Sequence, residues 1–222
     1  MSRTDDAAAF YSRWAPVYDA LARHTPGIGR MRHRLARELD PPRGGTVVEM
    51  GCGTGGNLPY LADIVGPDGT VIGIDIAPGA LHTARRRIDA RGDEHVSVIR
   101  GDATRPPIGS TDAVVATFVV GMFTNPEATV HSWCDLVGPG GRVGLLHLAR
   151  SERRYGPLVN LGLRALVLLS TPGKGRLLTD DATALLDRRV TAGHAVLAER
   201  CADAQFVTTG GGLVHVATGT VE

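Results

Sequence analysis

The chain has 222 residues, 43% of them hydrophobic and 21% charged, with a formal net charge of +1. That length and apolar fraction suffice for one domain with a full core, and the near-neutral balance argues against nucleic-acid binding through a global basic excess. Three cysteines, Cys52, Cys134 and Cys201, leave an odd count without metal-ligand spacing, and the histidines show no i,i+4 or Cys/His clustering, so no metal and a reducing cytoplasm are expected.

The opening MSRTDDAAAF lacks the long apolar core of a signal peptide, and no run of about 18 apolar residues suggests a spanning helix. Ile28, Met31, Leu35 and Leu39 recur at helical spacing, and Pro41-Pro42 with Gly44-Gly45 ends that helix. Its arginines, Arg30, Arg32, Arg34 and Arg37, read as a solvated face ahead of the alternative, contacts to a lipid phosphate. Val47 to Met50 is an apolar strand that runs into the turn Gly51-Cys52-Gly53-Thr54-Gly55-Gly56, which opens a second helix. Thr70 to Asp75 reads as the next strand; Pro78 starts a helix with Leu81, Ala84 and Ile88 as its buried stripe, and Gly92 stops it. His95 to Arg100 is a third strand, followed by Gly101-Asp102-Ala103. Asp112 to Phe118 reads as strand four, Glu127 to Val137 as a helix and Gly141 to Ala149 as strand five. Gln205 to Thr209 and Leu213 to Thr218 flank Gly210-Gly211-Gly212 as a hairpin. Alternating strands and helices with short turns imply an α/β fold with a parallel sheet covered on both faces.

The glycine turn carries the chemistry. Glycine accepts positive φ and lets backbone approach a ligand closely, while the helix that follows offers unpaired N–H groups at its positive end. Asp75 closes the second strand, where a carboxylate takes the two hydroxyls of an adenosine ribose. Glu49 stands two residues before the first glycine; it would repel a pyrophosphate and attract the ammonium of a methionine tail, which favours S-adenosylmethionine (SAM) over a dinucleotide. Asp102 suits an adenine amino group, with a neighbouring backbone N–H for a ring nitrogen. Structural alternatives exist: Asp75 can cap the helix at Pro78, and Asp102 can make an Asx-turn.

With these motifs in order, the chain resembles the class I SAM-dependent methyltransferases over roughly residues 10–150. The resemblance rests on VVEMGCGTGG, GIDIA, GDA, DAVVATFVVGMF and LVGPGGRVGLLHLA. It implies a Rossmann-like, doubly wound seven-stranded sheet of order 3-2-1-4-5-7-6 with the last strand antiparallel and an N-terminal helical lid. The expected organisation is one domain: a helical cap over 1–44, a SAM-binding core over 45–150, a helical insertion over 151–202 and the hairpin over 203–222. The cofactor contacts it implies are Glu49, Gly51, Cys52, Gly53, Asp75, Ile76, Asp102, Ala103 and Phe118. The opening YSRWAPVYD is similar to the N-terminal segment of quinone-ring C-methyltransferases and bacterial phospholipid N-methyltransferases, with Tyr18 and Trp14 closing over the cofactor.

Displacement at a sulfonium methyl asks mainly for proximity, alignment and exclusion of water, so a general base is optional. Candidates are His147 at the end of strand five, and Tyr11 or Tyr18; His147 equally fits a hydrogen-bonded core position. Cys52 needs only to be small. The apolar run 155–170 fits a lid for a lipophilic acceptor, a segment resting on a membrane surface, or a buried helix or dimer interface. Arg150, Arg153, Arg154, Arg164 and Arg176 flank it as solvated caps or head-group contacts. The expected activity is methyl transfer to a small lipophilic acceptor, a quinol ring carbon or phospholipid amine, in the cytoplasm and without nucleic acid. Two other readings stay open: an NAD(P)-dependent reductase, and a SAM-binding protein that transfers nothing.

Overall fold

The computed structural model describes residues 27–151, 154, 156, 160, 161 and 181–222. It begins with α1 (Ile28–Leu39), which ends where Asp40 turns left-handed (φ 44°) ahead of the two prolines. Leu35, Ala36 and Leu39 are its buried face. Arg142 closes the helix from outside, its guanidinium donating to the Leu39 and Glu38 carbonyls, which the end of a helix otherwise leaves unpaired.

Strand and helix then alternate: β1 (Thr46–Met50), α2 (Leu58–Val65), β2 (Thr70–Asp75), α3 (Pro78–Arg91), β3 (Val96–Arg100), β4 (Ala113–Thr117), α4 (Pro126–Val137), β5 (Arg142–Leu148), α5 (Asp181–Arg200), β6 (Gln205–Thr209) and β7 (Val214–Thr220). The seven strands lie in the order β3-β2-β1-β4-β5-β7-β6. β1 to β5 run parallel, and β7 inserts antiparallel between β5 and β6. The apolar strands are buried because helices cover both faces. On one face Leu35 and Leu39 of α1, Leu58 and Leu61 of α2, and Leu81 of α3 share a cluster; on the other, Val130 and Trp133 of α4 meet Val196 and Leu197 of α5. Trp133 is fully buried and donates from Nε1 to the Ala103 carbonyl at 2.8 Å, tying α4 to the loop after β3.

The expected elements are present with ends within a residue or two. Within the segment 151–202, expected to be a helical insertion, α5 covers the second face against α4 and leads into the hairpin. Gly193 allows its close approach, since a Cβ there would sit 3.0 Å from Val120 Cγ1. Among the described residues, no helix is long and apolar enough to cross a membrane.

Candidate functional site

Parallel order puts the ends of β1, β2, β3 and β4 on one edge of the sheet, with the crevice between β1 and β4 where the winding reverses. The glycine turn occupies that place. Gly51 is left-handed (φ 69°), and a Cβ there would lie 2.7 Å from Val119 Cγ2 after β4, so the site excludes a side chain on two counts. Gly53 is also left-handed (φ 54°), but among the described residues nothing lies within 4 Å of where its Cβ would be. This side of the turn is an open cradle.

Asp75 anchors the turn. Its Oδ2 accepts from Gly53 N and its Oδ1 from Ala77 N, each at 2.8 Å, with the Ile76 N–H adding to the same carboxylate. Burial nevertheless raises its pKa, the three backbone donors offsetting only part of the desolvation. A carboxylate has about four acceptor sites, so three backbone donors leave it one for a further hydroxyl. The helix-capping alternative does not hold in simple form, because Ala77 is the N-cap of α3 and makes no side-chain cap.

Glu49 is 1% exposed at the end of β1. Its Oε1 accepts from Asn57 Nδ2, which also donates to Thr117 Oγ1 at 2.6 Å, so β1, β4 and the start of α2 meet in one buried polar knot. Glu49 Oε2 and Asn57 Oδ1 are buried acceptors with no hydrogen-bond partner among the described residues. Burial pushes the Glu49 carboxyl from an ordinary 4.5 up to about 8; the Asn57 bond and the Arg32 charge pull it down, and Asp75 pushes it further up. Two unmet acceptors beside an open glycine turn are complementary to an ammonium donor and hostile to a diphosphate.

Arg32 was expected on a solvated face with Arg30, Arg34 and Arg37. The other three are exposed, while Arg32 is half-buried and lies over the glycine turn: a Cβ on Gly56 would meet its Nη1 at 2.1 Å. The turn therefore has a carboxyl from β1 on one side and a guanidinium from α1 on the other.

The remaining sequence candidates divide. Cys52 is buried, its N–H is bonded to the Ile74 carbonyl, and its sulfur packs where a Cβ on Gly73 would meet it at 2.8 Å. Burial pushes its thiol well above the ordinary range, with Glu49 and Asp75 adding to the effect. It shapes the turn and offers no reactive sulfur. Asp102 is exposed and forms the Asx-turn, Oδ1 accepting from Thr104 N at 2.9 Å and Oγ1 at 2.8 Å. Ala103 is buried behind it, and Ile76 is half-buried at the end of β2. Phe118 holds a left-handed φ of 61°, rare for an aromatic residue, and donates its N–H to the Leu146 carbonyl, which turns the chain sharply at the crevice.

His147 is not at the crevice mouth. Its imidazole is 1% exposed, lies on the α5 side of the sheet 5.0 Å from the His194 ring, and has neither nitrogen bonded among the described residues. Burial, then His194 and His215, hold its pKa well below the usual range. Tyr11, Trp14 and Tyr18 lie outside the described residues, as does most of 155–170. Arg150, described, is paired with Asp187. Sequence reasoning missed Asn57, Thr117 and Arg32. The available signal was Asn57, a capping residue type at the start of α2 whose side chain caps nothing.

Residues 47–141 match the family model described as a methyltransferase domain. The chain is 36% identical over 140 residues to the nocamycin O-methyltransferase of Saccharothrix syringae, covering 61% of this chain and 48% of that one. It is 34% identical over 162 residues to the phosphatidylethanolamine N-methyltransferase of Cereibacter sphaeroides, covering 69% and 72%. The chain thus spans about half the length of the first of these relatives. A solved O-methyltransferase family protein from Burkholderia thailandensis superposes with a TM-score of 0.67 at 19% identity, covering 97% of this chain and 61% of that one, which is a likeness of fold.

Proposed function

Because the chain belongs to the class I SAM-dependent methyltransferases, we propose that it transfers the methyl group of SAM to a small lipophilic acceptor. The observation that carries this reading is the pair of unmet buried acceptors, Glu49 Oε2 and Asn57 Oδ1, beside the open glycine turn. In this reading they take the ammonium of the methionine tail, and Arg32 takes its carboxylate. Asp75 holds the ribose hydroxyls; Asp102 and the Ala103 N–H hold the adenine, with Ile76 packed along it. Gly51 and Gly53 let the backbone come close, and Phe118 and Val119 wall the crevice from β4. When bound, SAM supplies a methyl carbon made electrophilic by its sulfonium, which departs with the C–S electron pair as the thioether S-adenosylhomocysteine. The protein's part is to align the acceptor and exclude water.

Incubation with methyl-labelled SAM and a panel of phenols, hydroquinones, amines and phosphatidylethanolamine vesicles tests the activity. Label in an acceptor supports it; none in any acceptor despite tight cofactor binding favours a SAM-binding protein that transfers nothing.

Two substitutions probe the cofactor assignments. Arg32→Gln is expected to weaken S-adenosylhomocysteine about tenfold or more, the scale of a lost charge-assisted hydrogen bond. It should leave 5′-methylthioadenosine, which lacks the amino-acid tail, unchanged in calorimetry; equal losses for both ligands would remove Arg32 from the site. Cys52→Ala is expected to retain cofactor affinity and turnover, whereas lost turnover with retained affinity would contradict the inert thiol.

A further inference from the structure

A cavity of about 700 Å³ opens at the carboxyl end of β5, between α5 and the β6–β7 hairpin. Ser151, Asn160, Thr191, His194, Thr208 and His215 line it, and the Arg150–Asp187 pair stands on its wall. The walls are built. Asn160 accepts from Ser151 N and donates to its carbonyl, and the Ser151 hydroxyl donates to the Gly211 carbonyl at 2.7 Å. His147 and His215 are direct partners across β5 and β7, and the His194 ring sits 5.0 Å from one and 6.5 Å from the other.

A neutral imidazole carries one donor and one acceptor. His215 Nε2 lies 3.2 Å from the Gly212 carbonyl, which only accepts, so that nitrogen carries a proton. Both nitrogens of His147 and the Nε2 of His194 are buried with no hydrogen-bond partner among the described residues, so the His194 nitrogen left to face the cavity is Nδ1. Leaving such groups unmet is costly, and apolar side chains would have filled this layer without that cost. Burial holds His194 down to about 4 and His147 well below its usual range, so these two imidazoles are uncharged at neutral pH. The wall cation, Arg150, is already matched by Asp187. Among the described residues the polar lining is hydroxyls, an amide and imidazoles beside the already paired Arg150 and Asp187, which suits hydroxyl groups, not a phosphate head group or a carboxylate. It also abuts the crevice: Val190 lines the cavity and lies 3.7 Å from where a Cβ on Gly121 would be, in the turn that follows Phe118 and Val119.

We infer that this cavity receives the hydroxylated ring of the methyl acceptor, with His194 as its hydrogen-bonding contact and His147 behind it as a positioning residue. The inference rests on the methyltransferase reading and selects, among acceptors, the phenol and hydroquinone class over phospholipid amines.

The test is a titration of the full chain, labelled with ¹⁵N at histidine, with 2-naphthol and with its methyl ether, alongside S-adenosylhomocysteine binding to the same sample. The His194 and His215 ring nitrogens are expected to shift with 2-naphthol, and the ether should bind about tenfold more weakly, as a site built to pair a hydroxyl rejects its blocked analogue. His194→Phe, and independently Thr208→Val on the exposed hairpin, should weaken 2-naphthol without changing S-adenosylhomocysteine affinity. Equal binding of naphthol and ether, absence of imidazole shifts, or shifts produced by phosphoethanolamine in place of naphthol would overturn the inference. Failure of S-adenosylhomocysteine to bind, with naphthol bound as expected, would count against the methyltransferase reading alone.

Discussion

Asp75→Ala is expected to weaken SAM binding by about 1–3 kcal/mol, roughly five- to 150-fold, the cost of leaving buried hydrogen-bonding groups unpaired. The geometry sets the size of the effect. Asp75 already accepts backbone N–H groups from Gly53, Ala77 and Ile76, and its carboxylate keeps one acceptor site for a ribose hydroxyl. Alanine removes that hydroxyl contact and also frees Gly53, whose left-handed turn forms the cradle. 2′-Deoxyadenosine analogues provide the control: the affinity gap between ribose and deoxyribose ligands should be present in the parent chain and close in the variant. Unchanged SAM affinity in Asp75→Ala would remove the residue from the ribose site.

The second large effect is on pH. With its carboxyl raised from 4.5 to about 8, the unliganded protein holds a proton on Glu49 through the neutral range. Binding an ammonium there favours the carboxylate, so SAM binding should release a proton and tighten as pH rises toward 8, by at most about tenfold per pH unit. Folding without ligand has the opposite sign. Between pH 4.5 and 8 the folded state binds more protons than the unfolded one, so Glu49's contribution is fully present below about 4.5 and is lost as pH rises through about 8. The melting temperature of the free protein should carry a falling component over that window, while the increment from S-adenosylhomocysteine grows. Glu49→Gln should flatten both trends and weaken the tail contact. A parent affinity independent of pH between 6 and 8 would contradict the assignment.

Much of this arrangement is legible in the residues. The ends of β2 and α3 follow from the apolar run that Asp75 closes and from Pro78 and Gly92, because those residues act locally on the backbone. The β6–β7 hairpin follows from its glycines in the same way. What is not legible depends on which surfaces meet. Helical spacing places Arg32 on a face of α1 but carries no information that this face overlies Gly56. Asn57 is of a residue type common at helix starts, and only the nearness of β4 shows its amide spent on Glu49 and Thr117. His147 stands at a strand end, and a strand-end position fixes an edge of the sheet; the side it points to depends on the pleat, which turns it toward α5 and His194. The role of α5 is likewise not legible, because it is defined by packing on α4.

The central claim is that the glycine turn, with Glu49 on one side and Arg32 on the other, holds an adenosine bearing an amino-acid tail. The most direct measurement is parallel calorimetric titration of the chain with SAM, S-adenosylhomocysteine and NADH. Micromolar binding of the first two, with none for NADH, is the result expected. Binding of NADH alone would contradict the reading of the unmet acceptors and return the crevice to a pyrophosphate.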